Sequence, residues 1–149
     1  MGFSRSVALT GQTYPRKLDT IMISKLSGIA HSASKMCTDL RILSSFMEMD
    51  EPFESDQVGS SAMPYKRNPM RSERVCSLAR YLSGMPEYCG DTHSAQWMER
   101  TLDDSAIRRM VLPESFMCAD AILDICTNIV SGLCCVCVSL SVSVCLCVR

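Results

Sequence analysis

The segment Leu18–Met47, LDTIMISKLSGIAHSASKMCTDLRILSSFM, decides the fold class. Its apolar residues Leu18, Met22, Leu26, Ile29, Ala33, Met36, Leu40, Leu43 and Met47 recur at spacings of three and four, the period of a helix face that packs in a bundle seam. Pro15 suits the first turn, where no intrahelical N–H is needed. Gly28 alone interrupts the run, weakening it by about 1 kcal/mol relative to Ala. The spacing predicts one helix of about eight turns at 3.6 residues per turn. A compact domain of 149 residues does not need so long a helix. The seam is therefore expected to pack against helices from elsewhere, other subunits included, and an oligomer follows.

Past this helix the pattern breaks. From Asp50 to Asn68 the chain carries Pro52, Gly59, Pro64 and small residues, which reads as a loop. A second helix is expected from Pro69, with Asn68 as its cap and Glu73 in the first turns. Its apolar face is Val75, Leu78, Ala79 and Leu82, and it is expected to end near Gly84. Met85–Ser94 reads as looser, and Trp97–Met110 as turns mixed with short helix. Pro113 then opens another amphipathic helix, with Ile122, Ile125, Cys126 and Ile129 on the buried face and Gly132 as C-cap. No strand is expected before Leu133. The reading is an all-α, long-helix bundle over residues 1–132, with a distinct loop at 55–68 and an atypical low-complexity tail at 133–149.

The formal net charge of -1 gives no electrostatic reason to expect nucleic acid. Of the ten cysteines, Cys37, Cys76, Cys89, Cys118 and Cys126 are scattered without metal-ligand spacing and read as core thiols. No apolar stretch of adequate length marks Met1–Leu9 as a secretory signal, so a reducing, cytoplasmic setting is the default. The tail, LCCVCVSLSVSVCLCVR, alternates among Cys, Val, Ser and Leu. It is too short and too serine-interrupted for a spanning helix of about 20 apolar residues, so no membrane is expected. Its cysteines are also crowded wrongly for zinc. A two-base repeat read in codons, TGT-GTG and TCT-CTC, reproduces most of it. The hypothesis is translated repetitive non-coding sequence, and an uninterrupted coding exon across the Gly132 codon would refute it.

The chemistry sits in Gly59–Arg74, GSSAMPYKRNPMRSER. Two serines follow a glycine hinge, and a lysine, an asparagine and a helix start come within ten residues. A serine hydroxyl is a poor base unless its alkoxide is stabilised, and Lys66 with loop and helix-terminus amides could supply that field. Asn68 has to choose between capping the helix and binding a ligand. From residue types alone, a solvated basic loop stands equally open.

The full string resembles the signature of the fumarase, aspartase and argininosuccinate lyase superfamily, G-S-S-x-M-P-x-K-x-N-P, with every fixed position matched. Tyr65, Arg67 and Met70–Arg74 resemble the adenylosuccinate lyase family within it. So do Thr10–Tyr14, Glu99–Ser105 and the pair Arg108 and Arg109, in the same order. The resemblance covers roughly Leu9 to Leu133.

What it implies is a fumarate-releasing β-elimination: a base takes a proton from the succinyl carbon, an acid protonates the departing nitrogen, and AMP leaves adenylosuccinate. The same site would split succinylaminoimidazole carboxamide ribotide in purine synthesis, using no metal and no organic cofactor. By resemblance Ser60 is the base, and Gln12, Lys66, Asn68, Arg74, Arg100, Ser105 and Arg109 meet substrate. Their chemistry fits: cations and amides hold the carbanion's charge, and guanidinium forks suit phosphate and carboxylate.

Neither His31 nor His93 matches the family's acid histidine, which the resemblance places in an earlier segment absent from this sequence. The family builds each site from three segments of three subunits in a homotetramer, so this chain is expected to form incomplete sites alone. The alternative is a catalytically incomplete helical chain that only co-assembles with full-length subunits. An RNA-binding segment built on Lys66, Arg67, Arg71 and Arg74 lacks aromatic interleaving and a recognised module.

Overall fold

The computed structural model describes residues 2–54, 62–63 and 66–135. Three long helices form its core: α1, Lys17–Ser45; α2, Met70–Ser94; and α3, Asp104–Ser131. The start of α1 meets the start of α3 through Arg16 and Asp104, whose Nε and Oδ2 atoms are 2.5 Å apart. The second half of α1 meets the first half of α2, where the Thr38 Oγ1 and Cys76 Sγ atoms are 3.7 Å apart. Hence α1 and α3 run parallel and α2 runs back between their ends.

Each helix buries one stripe. Ile23, Ala30, Cys37 and Leu40 come from α1, Val75, Ala79, Leu82, Met85 and Cys89 from α2, and Val111, Cys118, Ala119, Ile122 and Ile129 from α3. The expected inner faces of α2 and α3 hold. That of α1 holds in part: Leu40 is buried and Leu26, Ala33 and Met36 pack against the core, but Leu18, Met22, Ile29 and Met47 are exposed, and the buried line is Asp19, Ile23, Ser27, Ala30, Cys37 and Leu40. Two polar residues on that line escape a count of apolar spacing. The helix thus carries two stripes, one packed within the chain and one facing outward.

Two helix boundaries differ from expectation. Helix α2 does not stop near Gly84 but continues through Pro86 to Ser94. Pro86 lacks the N–H that would bond the Leu82 carbonyl, at a typical cost of about 3 kcal/mol. Met85 and Cys89, buried on the stripe that began at Val75, offset it. Likewise α3 begins at Asp104, so Pro113 lies inside the helix rather than at its start. Here Val111 and Ser115 are buried on either side of the proline.

A strand also forms where none was expected. Met49–Asp50 (β1) pairs antiparallel with Cys134–Cys135 (β2), Met49 opposite Cys135 and Asp50 opposite Cys134. The first residues of the tail are therefore stitched to the segment that leads into the loop, while residues 136–149 lie outside the described residues. Cys37, Cys76, Cys89 and Cys118 are buried free thiols and Cys126 is half-buried. Among the described residues no helix is long and apolar enough to cross a membrane.

Candidate active site

The expected site residues fall into two groups at opposite ends of α1. At its N-terminal end, a network of ion pairs joins the irregular approach to α1 with the start of α3. Asp19, 2% exposed, accepts from the Tyr14 hydroxyl at 2.7 Å and from Arg108 Nε at 2.7 Å. Arg16 pairs with Asp104, and the guanidinium carbons of Arg16 and Arg108 stand 4.9 and 5.5 Å from the Tyr14 ring centroid. Burial raises the Tyr14 pKa, and its hydrogen bond to Asp19 raises it further. Desolvation works against the Arg108 charge, yet Asp19 outweighs it and leaves the guanidinium more basic than usual.

This network sets out four of the expected residues. Arg100, Ser105 and Arg109 line one open cleft of about 540 Å³ together with Asp104 and Arg108. Ser105 and Arg109 share a helix face at i, i+4, while Arg100 precedes the helix and reaches forward to its first residue, its Nη2 3.9 Å from Asp104 Oδ1. The Gln12 backbone N–H donates to Glu99 Oε1 at 2.6 Å, which seats Gln12 beside the residue that precedes Arg100. Such a cleft, walled by three guanidinium groups and a hydroxyl, suits a phosphorylated ligand.

At the other end, Lys66, Asn68 and Arg74 are exposed around the start of α2. Asn68 does not cap that helix. Its carbonyl accepts from the Met70 N–H at 2.8 Å, and no side-chain cap comes from the residue at the helix start. The cap is instead Glu51, whose two oxygens accept from the Arg71 N–H at 3.0 Å and the Ser72 N–H at 2.7 Å. A carboxylate there also complements the helix dipole. Arg71 returns the contact, its guanidinium reaching the Pro52 carbonyl and, at 2.6 Å, Glu54 Oε1. Arg67 lies over the Phe53 ring at 4.9 Å. Both ends of the loop are thus stapled together, and Asn68 opens on a cleft lined by Ser44, Arg67 and Glu73. Ser60 lies outside the described residues.

The 29 residues of α1 span about 43 Å at 1.5 Å per residue. Gln12, Arg100, Ser105 and Arg109 therefore stand far from Lys66, Asn68 and Arg74 within one chain. His31 is exposed midway along α1, and His93 is half-buried in the last turn of α2. Among the described residues no cluster of three or more His, Cys, Asp or Glu could hold a metal ion. Sequence reasoning missed Glu51 and the Tyr14–Asp19–Arg108 group. The one available signal was Asp19, a charge on the stripe that carries Ile23, Ala30 and Cys37.

A family model described as Lyase matches residues 10–84. The chain is similar to the adenylosuccinate lyase of Schistosoma mansoni, 61% identical over 132 residues, and to that of Saccharomyces cerevisiae, 55% identical over 133 residues. Each match takes in 89% of this chain and 28% of the relative, so the chain spans little more than a quarter of their length. Among solved structures it resembles a fumarate lyase:delta crystallin from Brucella melitensis, with a TM-score of 0.66 and 25% identity over 78% of this chain and 26% of that one. It shares the fold of a 3-carboxy-cis,cis-muconate lactonizing enzyme from Pseudomonas putida, with a TM-score of 0.67 and 24% identity over 78% of this chain and 25% of that one.

Proposed function

The chain belongs to the lyase family, and on that footing we propose that it carries part of the active site of an adenylosuccinate lyase. The reaction is fumarate-releasing β-elimination from adenylosuccinate, giving AMP, and from succinylaminoimidazole carboxamide ribotide. Ser60 is the base. Lys66 and Asn68 hold the negative charge that spreads onto the succinyl carboxylate as its proton leaves, a task for fixed cations and amides. Arg100, Ser105 and Arg109 take the phosphate end of the nucleotide, with Gln12 and Arg74 contributing further contacts.

The observation that supports this reading most is the division of those residues between the two ends of a helix about 43 Å long. One nucleotide cannot touch both ends. A complete site needs the loop end of one copy beside the Arg100 end of another, which fits a homotetramer working in the cytosol. The protein supplies all the charge, with no metal or organic cofactor.

Mixing this chain with a full-length adenylosuccinate lyase subunit whose serine equivalent to Ser60 is replaced tests the reading. Fumarate release should recover, and Ser60→Ala in this chain should abolish the recovery. General base catalysis typically contributes 10² to 10⁴-fold, so the loss is easily read. A second reading, co-assembly without catalysis, is favoured by the exposed stripe of Leu18, Met22 and Ile29 on α1. Mixed oligomers without recovered activity would select it.

A further inference from the structure

Resting on the elimination reading, we propose that Glu51 is a positioning residue for the reaction: by capping α2 in place of Asn68, it fixes where Asn68 and Lys66 stand against the substrate. The first turn of a helix leaves N–H groups without intrahelical partners; the N-cap position, where an asparagine is preferred, holds Pro69, which has no side-chain acceptor. Asn68, two residues before Met70, is the local candidate. Glu51 occupies that role from 20 residues away, accepting from both Arg71 and Ser72.

The arrangement is built from both sides. Glu51 holds the start of α2, while Arg71, on that same turn, holds the Pro52 carbonyl and Glu54. Arg67 on Phe53 adds a third brace. The two limbs of the loop thus meet at a crossed pair of charge-assisted contacts, which are short and directional. With the cap occupied, the Asn68 amide is kept off the helix end and stays exposed. Removing the Glu51 carboxylate leaves two N–H groups to be satisfied, and Asn68, just ahead of Pro69 in the chain, is of the residue type suited to accept from them. Drawing it in would pull Lys66, two residues earlier, with it. A displacement of about 1 Å at a catalytic group can cost on the order of 100-fold in rate.

Two measurements on the full chain test this. In amide hydrogen exchange by NMR, Arg71 and Ser72 should be protected in the wild type. They should exchange at least tenfold faster in a Glu51→Ala, Asn68→Ala double variant, while Glu51→Ala alone shifts the Asn68 side-chain NH₂ signals. Unchanged exchange in the double variant, or unmoved Asn68 signals in the single one, overturns the proposal whatever the activity. In mixed oligomers with the serine-replaced full-length subunit, Glu51→Ala should lower kcat at least tenfold per assembled site, with KM changed less than threefold. Glu51→Gln, which keeps one acceptor oxygen, should fall between. Asn68→Ala should then cost little more in the Glu51→Ala background than Glu51→Ala costs alone, because that amide has already left the substrate. A kcat within twofold of wild type, or losses that multiply, sinks the positioning role. A merely structural Glu51 would reduce how much chain assembles but not kcat per site. Failure of the wild-type chain to restore fumarate release counts against the elimination reading, and the exchange result still decides the cap.

Discussion

Gly132 lies so close to Pro52 that a Cβ on it would stand 2.5 Å from the Pro52 Cβ and 2.9 Å from its Cγ. Its φ of -119° is open to any residue, so the glycine is there for space and not for backbone freedom. The end of α3 thereby presses on the segment that leads into the signature loop, and the β1–β2 pair continues the contact. Gly132→Ala should destabilise the chain by about 1–3 kcal/mol, the usual penalty of overpacking against a rigid partner. In a Pro52→Gly background, where both of those atoms are gone, the same change should cost less. Urea midpoints by circular dichroism read both, and an unchanged midpoint in Gly132→Ala would mean that the two segments do not pack.

Met47 is a second strained point, with the opposite remedy. It closes α1 at a φ of 59°, its N–H donating to the Ser44 carbonyl and that of Glu48 to Leu43. This is the Schellman pattern, whose left-handed position favours glycine. A side chain there costs roughly 1 kcal/mol or more. Since Met47 is 78% exposed, little burial is forfeited, and Met47→Gly should raise the thermal midpoint by several degrees. A lower midpoint would show that the methionine contributes packing.

These two positions illustrate what the amino-acid order revealed. The inner faces of α2 and α3 were legible because Val75, Ala79 and Leu82, and Ile122 and Ile129, follow the helical period. The extent of α2 was not, because Gly84 and Pro86 are local breakers overruled by the burial of Met85 and Cys89 several residues on. The face of α1 was legible only in part, through Leu26, Ala33, Met36 and Leu40, because Asp19 and Ser27 also sit on the buried line, and a charge counts as apolar only once its partner Arg108, 89 residues away, is known. For the site, Ser105 and Arg109 were identified by resemblance, and only the structure, by starting α3 at Asp104 instead of Pro113, puts them on one helix face. Glu51 could not be found this way, since its partners are fixed by the fold and by no local rule. Lys66 and Asn68 were identified by motif, and only the structure separates them from Gln12 by the length of α1.

The Arg16–Asp104 pair gives a further test. Both side chains are nearly sealed, at 5% and 1% exposed, so removing Asp104 strands the buried Arg16 charge, and removing Arg16 leaves Asp104 only its longer contact to Arg100. Arg16→Met or Asp104→Leu alone should each cost about 3–5 kcal/mol, and the two changes together far less than their sum. Denaturant unfolding of all four corners of the cycle measures the coupling. Additive losses would show that the two charges do not depend on each other.

The buried thiols set the alkaline limit. Burial, with the Cys126 thiol second, raises Cys37 from 9.0 to about 12, and burial also raises Cys89, Cys118 and Cys126. The fold holds these groups protonated, whereas the unfolded chain releases their protons near pH 9. Their contribution is therefore whole below about pH 9 and is lost as pH climbs toward about 12, with at most about 4 kcal/mol from Cys37. Denaturant midpoints should fall steadily between pH 9 and 11, and Cys37→Ala should flatten the decline most. Iodoacetamide at pH 8 should label exposed Cys134 and Cys135 well before Cys37. Equal labelling would place Cys37 in contact with solvent.

The outward stripe of α1 bears on assembly. Leu18, Met22 and Ile29 are each about two-fifths exposed, at 42%, 41% and 42%, and their spacing of four and seven puts them on one side of the helix. An aligned apolar row unused by the chain's own core is the kind of surface that subunit contacts cover. Met22→Lys with Ile29→Lys should leave helix content and the urea midpoint nearly unchanged, since exposed substitutions typically shift stability by about 0.5 kcal/mol or less. The same change should move the sedimentation coefficient to that of the monomer and prevent recruitment into full-length subunits. Should the double variant still assemble at the wild-type concentration, subunit contact must run through α2 or α3, where Tyr81, Tyr88, Phe116 and Met117 are also exposed.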